Sequence, residues 1–379
     1  MESPNRTYVG ELDELRGFAA LLVYLYHVMQ GAAGAAGYSS WLISSFAPLC
    51  LVYEGHIGVA LFMVLSGFVL ARGTFDRPIA YGQFLRNRAL RILPLMTVVV
   101  LFAAYGSGGF SLGGFSFLYL SNADLKLADK TGLMTTVWTV VIEFQFYLIA
   151  PFLFAFVSRY RWRYLIGAFA LAFILKMIAM VPSEDSPGLL INIPSLTIVG
   201  RLTQFLAGIA LAYAFYQWRP TSRRLGFALL AVSFVAVCAY AFELNNGGGF
   251  NKWQSWRWAQ QEIEAVTFAG LIAGYSLARP FDWPMGRIIA RGLQIIGLLS
   301  FSIYILHWPV ITSYWKVYNW LNPDLIHSLP SLFLVTTATL LPLVLALSAL
   351  SYFCIERPFL NLRRRYIEPA VIAPVSIAA

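Results

Sequence analysis

The sequence has 379 residues, of which 59% are hydrophobic and 12% are charged, and its formal net charge is +9. Soluble domains average roughly 45–50% apolar and about 25% charged residues, so this composition excludes an ordinary soluble protein and indicates one embedded in a lipid bilayer. The basic residues lie between apolar runs, which argues against nucleic acid as a partner. The three cysteines are scattered, so we expect neither a disulfide framework nor a metal site.

Ten apolar stretches are long enough, or nearly so, to cross a bilayer core, which takes about 20 residues per helix. They are residues 14–33, 56–72, 89–106, 137–157, 163–181, 196–216, 224–242, 259–278, 293–315 and 331–354. Residues 41–55 are also apolar, so that region is open to interpretation as a re-entrant or interfacial segment. We predict an all-α integral membrane fold, a bundle of about ten transmembrane helices.

The distribution of basic residues predicts how the bundle is oriented. If the amino terminus is cytoplasmic, most of the 27 basic residues fall in cytoplasmic segments, as the positive-inside rule requires. The alternation places both termini in the cytoplasm. The longest outer loops, residues 107–136 and 243–258, leave no room for a folded extramembrane domain. We therefore expect residues 1–379 to form a single transmembrane domain with no appended soluble domain.

The first predicted helix carries Arg16 near its start and His27 in its apolar part. The two are 11 residues apart, or roughly 16 Å along a helix axis, which places His27 in the outer half of the membrane. An ionisable side chain at this depth is costly and is therefore a functional candidate. The competing interpretation is that His27 only hydrogen-bonds a neighbouring helix.

Two more ionisable residues are predicted at a similar depth. Glu143 lies five residues after Trp138, a typical interfacial residue, and His307 lies in the outer half of the ninth predicted helix. A buried histidine and glutamate within hydrogen-bonding distance can orient a base and hold a proton. For His307 an interfacial or helix-kink role stays open, because Trp308 and Pro309 come directly after it.

The stretch "YGQFLRNRALRILPLM" at residues 81–96 is rich in arginine. Arg88 and Arg91 are three residues apart, so both side chains lie on one face of a helix. Arginine binds phosphate oxygens bidentately and remains charged, so the pair suits a phosphate-bearing ligand. Contact with lipid headgroups, or a topological role alone, is the alternative.

Six stretches of the chain resemble, in order, the signature segments of the acyltransferase 3 family of integral membrane O-acyltransferases. They are "LDELRGFAALLVYLYH" (12–27), "GVALFMVLSGFVLARG" (58–73), "FLRNRALRILPLM" (84–96), "WTVVIEFQFYLIAPFLF" (138–154), "LLSFSIYILHWPV" (298–310) and "ERPF" (356–359). The resemblance implies an enzyme that moves an acyl group, usually acetyl, from cytoplasmic acyl-CoA to a hydroxyl of an envelope or exported carbohydrate. It also implies a multi-pass protein of the bacterial inner (plasma) membrane.

The resemblance also assigns roles to individual residues. It makes His27 the catalytic candidate and places the acidic residue of the family on Glu143, which we expect to orient the imidazole or to stabilise its charged form. It assigns Arg16, Arg88 and Arg91 to binding of the acetyl-CoA donor, and we expect Arg72 to join them. We further expect His307, Tyr304 and Trp138 to contact substrate.

The reaction leaves two routes open: His27 acts as general base, or it carries the acyl group transiently as an acyl-imidazole. The competing class of function is a proton-coupled multipass transporter. In that case His27 and Glu143 would form a proton relay, and the arginines would only set the topology.

Overall fold

The computed structural model describes residues 8–38, 42–106, 136–181, 187–250, 252–321 and 328–368, and the outer loop predicted at 107–136 falls almost wholly outside them. The described chain is helical throughout, apart from turns and one isolated antiparallel bridge between Ile79 and Ile367. The helices in chain order are α1 Gly10–Ala35, α2 Ala47–Tyr53, α3 Gly58–Ala71, α4 Tyr81–Gly106, α5 Val137–Met180, α6 Pro187–Leu196, α7 Ile198–Trp218, α8 Arg223–Asn246, α9 Gln260–Ala278, α10 Gly286–Leu298, α11 Ser300–Leu321, α12 Leu329–Ser351 and α13 Arg357–Leu360. Helices suit a bilayer because they satisfy their own backbone hydrogen bonds.

All ten predicted stretches lie mainly on helices, but not every helix passes as a membrane span. Within the described residues five helices are long and apolar enough to cross a membrane, or seven if each of two bent helix pairs counts as one span. The helices α4 and α9 are not among them, and both begin with polar residues. The helix α5 counts once, although two predicted spans lie on it. The chain is thus an all-helical integral membrane protein with five to seven span candidates.

Three predicted spans differ from straight, separate helices. The stretches 137–157 and 163–181 are joined in α5, where Arg161 breaks the helix with φ 59° and ψ −142°. The apolar segment before α3 forms the short helix α2, whose axis is bent 71° from that of residues 55–71. The stretch 293–315, predicted as one helix, is instead divided into α10 and α11, which are bent by 73°.

The bend after α10 lets that helix lie directly on α1, where two glycines allow close packing. A Cβ atom at Gly297 would be 1.9 Å from the Asp13 carbonyl oxygen, and one at Gly17 would be 2.2 Å from the Leu293 oxygen. Small residues are the usual means by which membrane helices approach this closely. The contact fixes the amino-terminal half of α1 against the break that starts α11.

Buried charges elsewhere in the bundle are paired with one another. Lys176 on α5 donates to Glu262 on α9, and Arg201 on α7 lies 3.2 Å from Glu264. Gln204 donates to the same Glu264 carboxylate at 2.6 Å. Breaking one member of such a pair leaves an uncompensated buried charge, so these contacts tie α5, α7 and α9 together.

After α13 the chain turns back and runs beside the start of α4. The Asn87 amide donates to the Arg364 carbonyl at 2.6 Å and its oxygen accepts from the Arg364 backbone N–H at 3.0 Å. Arg86 donates to the Leu362 carbonyl at 2.9 Å. We call residues 361–368 the C-terminal strap, and the bridge to Ile79 completes its attachment.

Candidate active site

A cavity of about 780 Å³ opens among α1, α3, α4, α5, the α10–α11 break and the C-terminal strap. Small-molecule sites in proteins typically occupy roughly 300–1,000 Å³, so the space is sufficient for a substrate. Its arginine lining residues are Arg16, Arg72, Arg77, Arg88, Arg91 and Arg363. All four predicted donor-binding arginines therefore lie around one cavity.

The cavity lining carries an excess of positive charge. Among its described lining residues the arginines outnumber the carboxylates, which are Asp13 and Glu143. Asp13 is engaged by Arg16 at 2.8 Å. The Nε atom of Arg88 is buried and has no hydrogen-bond partner within the described residues. A buried N–H donor without a partner costs free energy, and together with the excess of arginines it makes the lining favour an anionic ligand.

Three of these arginines lie close enough to influence one another. Burial, and next the positive charges of Arg91 and Arg88, lower the pKa of the Arg363 guanidinium to about 10. The nearest acidic partner of Arg91 is Glu356, with 3.9 Å between Nη1 and Oε2. Mutual repulsion of this kind marks a place where a bound anion would be stabilised.

Glu143 lines the same cavity, but its partners differ from the expected one. Ser66 on α3 donates to the Glu143 Oε1 atom at 2.9 Å, and the Tyr147 hydroxyl donates to the same atom. Tyr147 is one turn further along α5, so helix geometry brings its side chain to Glu143. Two hydroxyls thus hold the Glu143 carboxylate. The His27 imidazole has a different partner from the Glu143 that we expected.

The partner of His27 on α1 is His307 on α11, and the two form a histidine pair. The Nδ1 atom of His27 lies 2.9 Å from Nε2 of His307, and 3.0 Å from the Val23 carbonyl oxygen. The Nδ1 atom of His307 lies 2.8 Å from the carbonyl oxygen of Ile303. A carbonyl only accepts, so for neutral rings we assign N–H to Nδ1 of His307 and leave its Nε2 as acceptor. His27 then donates through Nδ1, and its Nε2 carries the lone pair.

Aromatic rings surround the histidine pair. Trp308 packs edge-on against His27 with 4.8 Å between ring centroids, and Tyr26 does so at 4.9 Å. The His307 side chain is buried and that of His27 is partly buried. The rings restrict the orientation of the His27 imidazole, as a positioned proton acceptor requires.

Tyr304 connects the cavity to the histidine pair. Neither His27 nor His307 is among the lining residues of the cavity, whereas Tyr304 is. The Tyr304 ring lies 5.9 Å from that of His307, which is one turn further along α11. Tyr304 therefore stands between the arginine-lined space and the imidazoles.

The remaining predicted contact, Trp138, lies elsewhere. Its ring packs under the Arg201 guanidinium, 5.7 Å from the ring centroid, and it is not among the lining residues of the cavity. The structure thus brings Arg16, Arg72, Arg88, Arg91, Glu143 and Tyr304 together around the cavity, pairs His27 with His307, and leaves Trp138 apart.

Several lining residues were not singled out from the sequence. Ser66 and Tyr147 lie within segments quoted for the family resemblance, and the spacing of Tyr147 four residues after Glu143 was an available signal. Arg363 stands in the run "NLRRRY" after the last helix, where a topological role is the simplest interpretation. Its partial burial beside α4 depends on the position of the strap, and no local sequence pattern predicts that position.

Fold and site together define a helical membrane protein with an arginine-lined cavity beside a histidine pair. The chain belongs to the acyltransferase 3 family, whose acyltransferase domain it matches over residues 9–352. The match includes the histidines of the pair, Glu143 and all but one of the arginines that line the cavity.

Curated relatives of the chain include named acetyltransferases. The peptidoglycan O-acetyltransferase OatA of Listeria monocytogenes is 26% identical over 352 residues, covering 81% of this chain and 50% of the relative. YrhL of Bacillus subtilis is 28% identical, covering 94% and 56%. The O-acetyltransferase OatA of Staphylococcus aureus is 24% identical, covering 82% and 51%. The chain spans about half the length of these relatives, and no solved structure is significantly similar to it.

Proposed function

We propose that the protein is a membrane O-acyltransferase that moves an acyl group, acetyl first of all, from acyl-CoA to a carbohydrate hydroxyl. The observation that supports this most is the adjacency of an anion-binding cavity and a histidine pair, with Tyr304 at the junction. The activity for which the relatives are named, O-acetylation, and the peptidoglycan acceptor of the Listeria protein agree with it.

The arginines would bind the phosphates of the donor. Acyl-CoA carries phosphate groups at its nucleotide end and the thioester at the other, joined by a long flexible arm. Arg16, Arg72, Arg88 and Arg91 would hold the nucleotide end by charge-assisted hydrogen bonds, and the arm would run past Tyr304. Such anchoring delivers the thioester to the imidazole at high effective concentration.

In the direct route His27 acts as general base. Its Nε2 atom takes the proton of the acceptor hydroxyl while that oxygen attacks the thioester carbonyl carbon. The carbon–sulfur bond then breaks, and the leaving thiolate receives the proton from the imidazolium. His307 would act as a positioning residue, because its Nε2 atom accepts from Nδ1 of His27 and stabilises the protonated ring.

In the second route Nε2 of His27 attacks the thioester carbon itself. The carbon–sulfur bond breaks and the thiolate leaves, so that an acyl-imidazole with N–H on Nδ1 forms. The acceptor hydroxyl then attacks the acyl carbon, the bond from that carbon to Nε2 breaks, and the hydroxyl proton passes to the thiolate. The tautomer assigned above suits both routes, because each needs the lone pair on Nε2.

For Glu143 we propose a different part in the reaction from the one expected from the sequence. Held by Ser66 and Tyr147 on the cavity wall, its carboxylate offsets part of the arginine charge. This would weaken binding at the phosphate end of the donor, so that release stays possible.

For the topology we propose ten spans with both termini cytoplasmic, in the bacterial inner membrane. The donor would then enter from the cytoplasm and the carbohydrate acceptor, an envelope or exported glycan, would reach His27 from the outer side. Placement of the basic residues supports this orientation.

The deciding experiment uses the purified protein in lipid nanodiscs with acetyl-CoA and a glycan acceptor. Release of the CoA thiol, together with the appearance of an ester on the glycan, would support the proposal. A wild-type protein that neither binds acetyl-CoA nor releases thiol would contradict it and favour the transporter. Comparing the glycans of the producing strain with those of a deletion strain would then identify the acceptor by the ester that is lost.

A further inference from the structure

The C-terminal strap is attached to the membrane bundle by several hydrogen bonds on one side of α4. The Ala80 N–H donates to the Tyr366 carbonyl at 2.9 Å, and the Glu368 N–H donates to the Pro78 carbonyl at 3.1 Å. Arg77, itself a cavity-lining residue, donates to the Glu368 carbonyl at 3.1 Å. Backbone pairing of this kind holds the strap in one register, so its side chains have defined positions.

Two strap residues reach the cavity, and the two residues between them do not. Arg363 and Tyr366 line it, while Arg364 and Arg365 are exposed. The Arg363 Nε donates to the Leu360 carbonyl at 2.9 Å, which directs the guanidinium along the end of α13. The Tyr366 side chain is buried and packs edge-on against Phe84 at 5.2 Å.

Arg363 thereby adds positive charge beside the two α4 arginines. Arg88 lies over the rings of Phe84 and Tyr147, and Arg91 over the ring of Phe301, each at about 6 Å, so the α4 guanidinium groups are held by aromatic contacts. Three guanidinium groups from two separate segments face one space, with an orphaned Nε on Arg88. A doubly charged phosphate is the ligand chemistry that satisfies such a group.

We propose that the strap is part of the donor site, and that Arg363 binds a phosphate of the donor nucleotide together with Arg88 and Arg91. The inference rests on the proposed function, since it takes acyl-CoA as the donor. It extends that function by making donor recognition depend on a segment that comes after the last membrane helix.

The same chemistry could come from an anionic lipid headgroup. We favour the nucleotide because Arg363 lines the cavity with Tyr366, whereas its neighbours Arg364 and Arg365 are exposed and do not line it. A headgroup site would be expected to use the exposed pair. The experiment separates these two sources of phosphate.

The test compares Arg363→Gln with Arg365→Gln in nanodiscs of phosphatidylcholine. Arg365 is the matched control, because it lies two residues away, is exposed, and its Nε donates to the nearby Ile367 carbonyl. For Arg363→Gln we expect the KM for acetyl-CoA to rise about tenfold, as loss of one charge-assisted contact implies, with kcat little changed. Arg365→Gln should behave as wild type.

A second donor distinguishes binding from general damage to the fold. S-acetyl-pantetheine carries the thioester but lacks the nucleotide phosphates, so transfer from it should be equal in wild type and Arg363→Gln. Arg363→Lys should give an intermediate KM for acetyl-CoA, since it keeps the charge but loses bidentate geometry.

The outcomes are separable. If wild type uses acetyl-CoA but Arg363→Gln has an unchanged KM for it, the strap inference is overturned while the proposed function stands. If the KM effect appears only in nanodiscs containing phosphatidylglycerol, the site belongs to lipid and the inference is likewise overturned. If wild type does not use acetyl-CoA at all, it is the proposed function that fails.

Discussion

Nε2 of His307 accepts from Nδ1 of His27 across a 2.9 Å contact, which makes the two rings one hydrogen-bonded unit anchored to the Ile303 carbonyl. The sequence placed both histidines in the outer half of the membrane but assigned them to different tasks. In the structure the second ring fixes the tautomer of the first. In the proposed reaction His307 is a positioning residue, and the substrate contact expected from the sequence stays a prediction.

The first prediction concerns His27. His27→Ala removes the group placed to take the acceptor proton in the proposed route, so acetyl transfer should fall by about 10²–10⁴-fold, the usual contribution of a general base. Thiol release from acetyl-CoA and ester formation should be followed together. A variant that retains full transfer, with an unchanged thermal unfolding midpoint, would refute the assignment.

The second prediction separates the two histidines. His307→Leu should lower kcat about tenfold or more with little change in KM for acetyl-CoA, because it removes a hydrogen bond to a ring that becomes charged. His307→Gln should recover much of the loss, since a glutamine side-chain oxygen can accept from Nδ1 of His27. Equal loss in both variants would count against positioning, and so would identical pH–rate profiles for wild type and His307→Leu.

The third prediction tests the arginine pair on α4. Arg88→Ala combined with Arg91→Ala should raise KM for acetyl-CoA much more than KM for the acceptor, since phosphate contacts act on one substrate only. Added salt should likewise raise the KM of wild type for acetyl-CoA, because screening weakens charge-assisted binding. Equal changes in the two KM values would argue against phosphate contact.

The fourth prediction concerns passage from the cavity to the imidazoles. Tyr304→Trp places a larger ring where Tyr304 meets both the cavity and His307, so kcat should fall while binding of acetyl-CoA is retained. Binding would be measured by calorimetry in nanodiscs, and transfer by thiol release. Normal transfer by this variant would mean that the thioester reaches His27 by another path.

The fifth prediction concerns stability at the α1–α10 crossing. Gly297→Val should destabilise the protein by about 1–3 kcal/mol or more, because its Cβ would collide with the Asp13 carbonyl oxygen. Gly292→Ala on the same helix is the matched control, since a Cβ there has open space. Thermal unfolding in detergent should show a lower midpoint for the first and an unchanged or slightly higher one for the second.

Hydropathy and charge were sufficient to predict an all-helical membrane protein and the approximate positions of its longer helices. They did not predict the bend between α10 and α11 or the break at Arg161, because a count of apolar residues carries no information on helix direction. The grouping of Arg16, Arg72, Arg88 and Arg91 could be predicted, because the helix ends that carry them are predicted on the same side of the membrane. The partner of His27 could not be predicted, because the sequence predicts His307 and Glu143 at similar depth and only helix packing decides between them.

The bridge between Ile79 and Ile367 joins two parts of the chain that are made at very different times. Domains form from the amino-terminal end as synthesis proceeds, so α4 is inserted long before the ribosome reaches the strap. A nascent chain would thus present its histidine pair before the phosphate-binding group is complete. On the strap proposal, full affinity for the donor would arise only when translation has passed residue 367.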